Sequence, residues 1–221
     1  MNNNFFDNYY SSQILYYGRE VRPEFSLFLN QSLIPESCRV LDLGCGDGRY
    51  AIYLAEKRFL VHSIDLSPVG LSKLALYAEK SGLEITTQEA DLNTETLPDE
   101  EYDLIIFATI LDHLQKEGRE HLIREIISAL KPGGYFYGDV FTRQDPGYYL
   151  QQGKKTREKA SETAGAIKHY FAPGELQNCF ASQEILEYKE FQEEDLNHGT
   201  PHLHGWACIL GRKPGSFSQK R

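Results

Sequence analysis

The sequence predicts an α/β fold built on a mostly parallel sheet, and two observations predict it. From Arg39 to Phe141, short apolar runs alternate with segments of helical period. That alternation is the signature of successive strand–helix units, whose right-handed crossovers lay parallel strands side by side. The first apolar run also ends in a glycine cluster that opens straight into a helical segment. Such a junction suits a strand end that must turn sharply.

Taken in order, "RVLDL" (39–43) is a short apolar run stopped by glycines, hence a buried strand. "RYAIYLAEK" (49–57) follows at helical spacing, and "LVHSID" (60–65) is the second strand. Ser67 before Pro68 supplies an N-cap and an N1 proline, predicting a helix to about Lys80. "LEITTQEAD" (83–91) and "YDLIIFAT" (102–109) are strands three and four. "EGREHLIREIISAL" (117–130) is an amphipathic helix closed by "KPGG", and "YFYGDVF" (135–141) is strand five. Residues 143–170 are polar and without period, a length expected of a functional insert. Pro173 can start a helix in "APGELQNCF", and "EILEYKEF" (184–191) and "LHGWACILG" (203–211) complete seven strands. Residues 1–37 carry Phe5, Phe6, Tyr9, Tyr10, Tyr16 and Tyr17, and are expected to form amphipathic helices capping one end of the sheet.

At 221 residues, 41% hydrophobic and 25% charged, the chain reads as one soluble globular domain. Its boundaries are an N-terminal helical cap (1–37), a core (38–142), a substrate or lid insert (143–170) and a closing helix with strands (171–213). No apolar run approaches the ~18 residues of a membrane span. "MNNNFFDNYY" has no basic start and no apolar core, so a cytoplasmic location is expected. The net charge of −9 argues against nucleic acid, which needs a basic stripe. Cys38, Cys45, Cys179 and Cys208 form no C-x-x-C pair and are expected to be reduced thiols.

"VLDLGCGDGR" carries the chemistry. Gly44, Gly46 and Gly48 let backbone approach a ligand, and they lie outside a strand's carboxyl end, where α/β sheets bind ligands. A dinucleotide fingerprint would need its third glycine where Arg49 stands, so a nicotinamide cofactor is not expected. Asp65 ends strand two, where a carboxylate can take both hydroxyls of a ribose. Asp91 ends strand three, where an acceptor can meet an adenine amino group. Singly, each acid could be a cap or turn residue; their order at successive strand ends points to one site.

These residues resemble the class I S-adenosylmethionine-dependent methyltransferases over about residues 38–142. The likeness implies a Rossmann-like three-layer sandwich, with "HGWACILGRK" as an antiparallel last strand beside strand five. It implies S-adenosyl-L-methionine as cofactor and S-adenosyl-L-homocysteine as product. Asp42 and the loop Gly44, Cys45, Gly46 and Gly48 would hold the methionine end, Asp65 the ribose, and Asp91 with Leu92 the adenine, with Arg49 and Leu66 also at the cofactor. Thr109 or Ile110 would face the sulfonium. "LDLGCGDGR", "DLN", "KPGGY" and "HYFAPGEL" are similar to the tellurite-resistance type of small-molecule methyltransferase. "LDHL" (111–114) and 143–168 depart from that type, so the acceptor stays open: a chalcogen oxyanion or thiol, alternatively a carboxylate or ring nitrogen, or no turnover at all. A small-molecule acceptor is expected as partner of a monomer or homodimer.

Four residues are candidates for the transfer step. His113 follows strand four and Arg143 follows strand five, the latter with a fork suited to an oxyanion. His202 and His204 lie in "HGTPHLHG", at the end of a parallel sixth strand and therefore at the ligand edge. With His198 they could be structural, acid–base or metal-binding; no metal is assigned. Pro201 argues for a late strand start. That would let His202 and His204 divide their work, one toward substrate and one toward packing.

Overall fold

In the computed structural model of the chain, residues 4–11, 15–31, 34–161, 163–196 and 200–215 are described. The strands are β1 (Arg39–Leu43), β2 (Leu60–Asp65), β3 (Ile85–Glu89), β4 (Tyr102–Ala108), β5 (Leu130–Phe141), β6 (Glu184–Asp195) and β7 (His202–Arg212). They form one sheet in the order β3-β2-β1-β4-β5-β7-β6. All neighbours pair in parallel except β7, which runs antiparallel to both β5 and β6.

The helices are α1 (Asn4–Tyr10), α2 (Pro23–Gln31), α3 (Arg49–Glu56), α4 (Pro68–Ser81), α5 (Lys116–Ala129), α6 (Pro146–Gln151) and α7 (Glu175–Cys179). They cover both faces, because successive strand residues point to opposite sides. On β4, Leu104, Ile106 and Ala108 pack with Phe25 of α2, Ile52 and Leu54 of α3 and Leu74 of α4. Ile105 and Phe107 join the opposite core, with Leu122 and Ile126 of α5, Leu176 of α7 and Phe180. Each such side chain stabilises the fold by roughly 1.5–3 kcal/mol relative to exposure. Two-sided burial explains why the strands read as continuous apolar runs.

Local signals set most boundaries. Ser67 Oγ accepts the Gly70 N–H at 3.1 Å, Pro68 opens α4, and Gly82 ends it at φ 63°. Three departures from expectation shape the fold beyond small shifts of strand ends. Helix α5 stops at Ala129, before "KPGG", and β5 begins at once. Leu130 pairs with Tyr102 and Tyr135 with Leu104, so Lys131–Gly134 bulge from the ladder. The insert holds α6, capped by Asp145, whose Oδ1 accepts the Gly147 N–H at 2.7 Å, with Pro146 at the first helical position. One and a half turns is too short to show a hydrophobic period. Finally, α7 starts at Glu175 rather than Pro173, after Gly174 at φ 73°.

Candidate active site

The strand order turns back between β1 and β4. In open α/β sheets a crevice opens at such a switch point, outside the carboxyl ends of the strands. Here it lies between the loop after β1 and the turn after β4. A Cβ at Gly44 would sit 3.0 Å from the Ile110 side chain, so the two walls meet there. Gly46 has φ 55°, and a Cβ on it would meet the Tyr10 hydroxyl at 2.6 Å. Glycine is needed at Gly46 both for its left-handed backbone and to admit that tyrosine.

The crevice deepens into a cavity of about 960 Å³, counted to its open mouth. Asp42, Gly44, Cys45, Gly46, Arg49, Asp65, Leu66, Asp91, Leu92, Thr109, Ile110 and His113 all line it. Residues from four strand ends and one helix start thus share one wall, although 71 positions separate Asp42 from His113 (113 − 42).

The wall carries four carboxylates, Asp42, Asp47, Asp65 and Asp91. Asp42 is buried, and among the described residues its Oδ2 has no hydrogen-bond partner. Burial, then the charge of Asp65, push its carboxyl up to about 7. Asp65 accepts the Gly46 N–H at 2.7 Å and the Ser67 N–H at 2.8 Å. Burial raises its pKa despite those backbone donors. Asp91 turns the chain after β3, its Oδ1 accepting the Asn93 N–H at 3.0 Å. Cys45 is buried beside Asp65 and Asp42, and burial above all drives its thiol far above the usual range. It is an inert turn residue, since only a thiolate is nucleophilic.

The N-terminal segment supplies the roof, a contribution that its aromatic content hinted at without placing it. Phe6, Tyr10 and Tyr17 line the cavity. Asp47 holds the segment down: its Oδ2 accepts the Tyr16 N–H at 2.8 Å and pairs with Lys73 Nζ at 3.1 Å. Lys73 also donates to the Tyr10 carbonyl at 3.2 Å, and Ser67 Oγ donates to Asp7.

Beyond β4 the backbone is strained. Thr109 sits at φ 50°, a left-handed conformation costly for a β-branched residue. Its N–H donates to the Asp139 carbonyl at 2.9 Å. His113 follows in a single 3-10 turn, Leu111–His113. Its Nδ1 donates to the Ala166 carbonyl at 3.3 Å and its ring meets Phe6 edge-on. Burial pulls its pKa down to about 4. Asp112, fully buried, accepts the Phe141 N–H at 3.0 Å, and its carbonyl accepts the Lys168 and His169 N–H groups.

Four expected site residues lie elsewhere. Gly48, at φ 103°, is off the cavity wall; a Cβ there would stand 2.4 Å from Leu74 Cδ1, so its smallness serves the contact of α3 with α4. Arg143 is exposed and off the wall, with its guanidinium 5.9 Å from the Tyr148 ring. His202 and His204 are also off the wall. They do not divide their work: β7 already runs through both, they share a face, and their Nε2 atoms meet at 2.9 Å. Pairing with Asp195 of β6 holds His202 in the ladder despite Pro201. His198 lies outside the described residues. The insert reaches the cavity wall from behind, through the Ala166 carbonyl at His113. The sequence carried no sign of another charged pair: the partly buried Arg22 pairs with the buried Asp139 at 3.1 Å and stacks 4.0 Å over Trp206.

The methyltransferase domain family matches residues 40–134. The chain is 34% identical over 98 residues to the "probable S-adenosyl-L-methionine-dependent methyltransferase TehB" of Haemophilus influenzae, covering 44% of this chain and 34% of that protein. It is 27% identical over 187 residues to hemagglutinin 1 of Eikenella corrodens, covering 80% of this chain and 55% of that one. The chain thus spans only about a third to a half of these curated relatives. The crystal structure of TehB from Haemophilus influenzae superposes with a TM-score of 0.68 at 24% identity, over 96% of this chain and 66% of that one. The matched stretch holds the glycine loop and the strand ends that line the cavity, so residues 40–134 are similar to a methyltransferase domain, and the chain has the fold of TehB.

Proposed function

We propose that the protein transfers a methyl group from S-adenosylmethionine to a small molecule. The observation that carries this reading is the cavity at the switch point, where the buried Asp42 and three further carboxylates, Asp47, Asp65 and Asp91, line a roofed space with much apolar surface. The cofactor presents an ammonium, two ribose hydroxyls and an adenine amino group. All are donors, and Asp42, Asp65 and Asp91 are acceptors, so the residues present fit it. Asp42 Oδ2 would take the ammonium end. A cationic partner would also lower the cost of ionising Asp42 in its buried site. Asp65, already fixed by two backbone N–H groups, would orient the ribose, with Asp91 and Leu92 beside the adenine. When bound, the cofactor supplies an electrophilic methyl on a sulfonium.

The chain's own task is then to orient the acceptor and exclude water. Phe6, Tyr10, Tyr17 and Leu114 close the cavity with apolar and aromatic surface. His113 is neutral at physiological pH, and donation from Nδ1 leaves its lone pair on Nε2. Holding a proton there at neutral pH costs on the order of 4 kcal/mol, so His113 positions an acceptor by hydrogen bonding rather than deprotonating it. That favours an acceptor arriving with its own lone pair, such as a ring nitrogen or a thiol already ionised. The exposure of Arg143, the residue expected to grip an oxyanion, weighs against a chalcogen oxyanion.

The test is calorimetry with S-adenosylmethionine, followed by S-adenosylhomocysteine production across thiol, ring-nitrogen, carboxylate and chalcogen-oxyanion acceptors. Cofactor binding with turnover on a soft nucleophile supports the reading. Binding without turnover on any acceptor replaces it with a non-catalytic binding protein, and no binding removes it.

A further inference from the structure

Among the described residues, three side chains with metal-ligating atoms converge away from the cavity: Asp195, His202 and His204, all within 4.8 Å of one another. Both histidines are buried and Asp195 is partly exposed. His202 Nδ1 lies 2.7 Å from the Thr200 carbonyl, which can only accept, so Nδ1 carries the proton. His204 Nδ1 lies 2.9 Å from Asp145 Oδ2. That carboxylate also accepts the Gly205 N–H at 3.2 Å and, through Oδ1, the Gly147 N–H at 2.7 Å, so it too acts as acceptor. Both rings are therefore held with Nδ1 protonated and the lone pair on Nε2. Those two Nε2 atoms face each other at 2.9 Å, with Asp195 Oδ2 at 4.0 Å from that of His204. Two lone pairs at that distance repel unless something positive sits between them.

We propose that Asp195, His202 and His204 bind a divalent first-row transition ion. A shared proton needs two donor atoms. Here three converge, two imidazole nitrogens and a carboxylate oxygen, the set that zinc and its neighbours take. Zinc–nitrogen bonds of about 2.0–2.1 Å in tetrahedral geometry separate two nitrogens by about 3.4 Å, so a small ring rotation opens the pair. The outer partners are those of a metal site: a carboxylate on one histidine and a backbone carbonyl on the other, fixing tautomer and orientation. Asp145 also caps α6, and the Leu203 N–H donates to the Lys159 carbonyl at 3.2 Å. An ion here would pin the 143–170 insert to the β6–β7 end of the sheet. It has no part in the methyl-transfer reading, and its test needs no cofactor.

The untagged full-length chain, stripped with a chelator, is titrated with Co²⁺ for its visible spectrum and with Zn²⁺ followed by elemental analysis after gel filtration. One retained equivalent of zinc and the intense spectrum of low-coordinate cobalt are expected. Asp145→Asn keeps all three ligands and should weaken binding 10–100-fold. His202→Ala, His204→Ala and the less buried Asp195→Asn should each weaken it at least tenfold, with folding checked by circular dichroism. Failure of the wild-type chain to retain zinc overturns the proposal whatever the variants do. So does wild-type affinity in folded Asp195→Asn and Asp145→Asn proteins, or an ¹⁵N spectrum showing a shared imidazole proton unchanged by excess zinc.

Discussion

Asp112→Asn should stabilise the protein, and the gain should grow with pH. Asp112 has no exposed surface, and burial, aided by the charge of Asp139, pushes its carboxyl up to about 8 against the stabilising N–H groups of Phe141 and of Asp112 itself. A carboxyl whose folded pKa exceeds its unfolded value of 3.8 holds its proton more tightly when folded. Its contribution is therefore fully favourable below about pH 4 and is lost as pH rises toward 8. The gap between 3.8 and about 8 corresponds to on the order of 5 kcal/mol across that window. Asparagine keeps an oxygen for the Phe141 N–H and never ionises. Its advantage should be near zero at pH 4, climb through neutrality and level off above pH 8. For a chain of this length that is a rise in Tm of roughly ten degrees or more at alkaline pH. Urea unfolding of both proteins at half-unit pH steps measures it. A stability difference that stays flat from pH 4.5 to 8.5 would refute the buried-carboxyl reasoning.

Asp65→Ala removes the carboxylate that two backbone N–H groups hold at the cavity wall. Cofactor affinity should fall by about 1.5–3 kcal/mol per unreplaced bond, read by calorimetry; wild-type affinity would remove Asp65 from the ribose site. Gly48→Ala places a Cβ 2.4 Å from Leu74 at φ 103° and should cost about 2 kcal/mol or more. In a double-mutant cycle, Leu74→Ala should recover part of that loss, while strict additivity would show that backbone strain alone is responsible. Arg22→Ala leaves Asp139 buried without its 3.1 Å partner and should destabilise by about 3–5 kcal/mol in chemical unfolding. Asp139→Asn in the same chain should restore most of it, and no recovery would count against the ion pair.

Short-range chemistry was legible in the sequence, because a positive φ, a helix cap or a buried strand is demanded within a few residues. The glycine loop, Ser67 with Pro68, and the runs forming β1, β2 and β4 are of this kind, and so is the order of the acids at the strand ends. Those features determined the fold class, and the family resemblance they carry implied twelve cofactor residues, of which eleven line the cavity; the exception, Gly48, has the same backbone need but spends its small size against Leu74. What only the tertiary structure decided are contacts between distant residues with no local mark. Tyr10 against Gly46, Arg22 against Asp139 and His204 against Asp145 join positions 36, 117 and 59 apart. Such pairings follow from how helices and strand ends pack, not from spacing. Arg143 shows the converse: its place after β5 was legible, but its side chain's direction was not, because packing around α6 leaves it exposed. The paired histidines sit between these cases, since strand period put them on one face. Only the ladder to β6 showed that the strand begins soon enough for that period to apply.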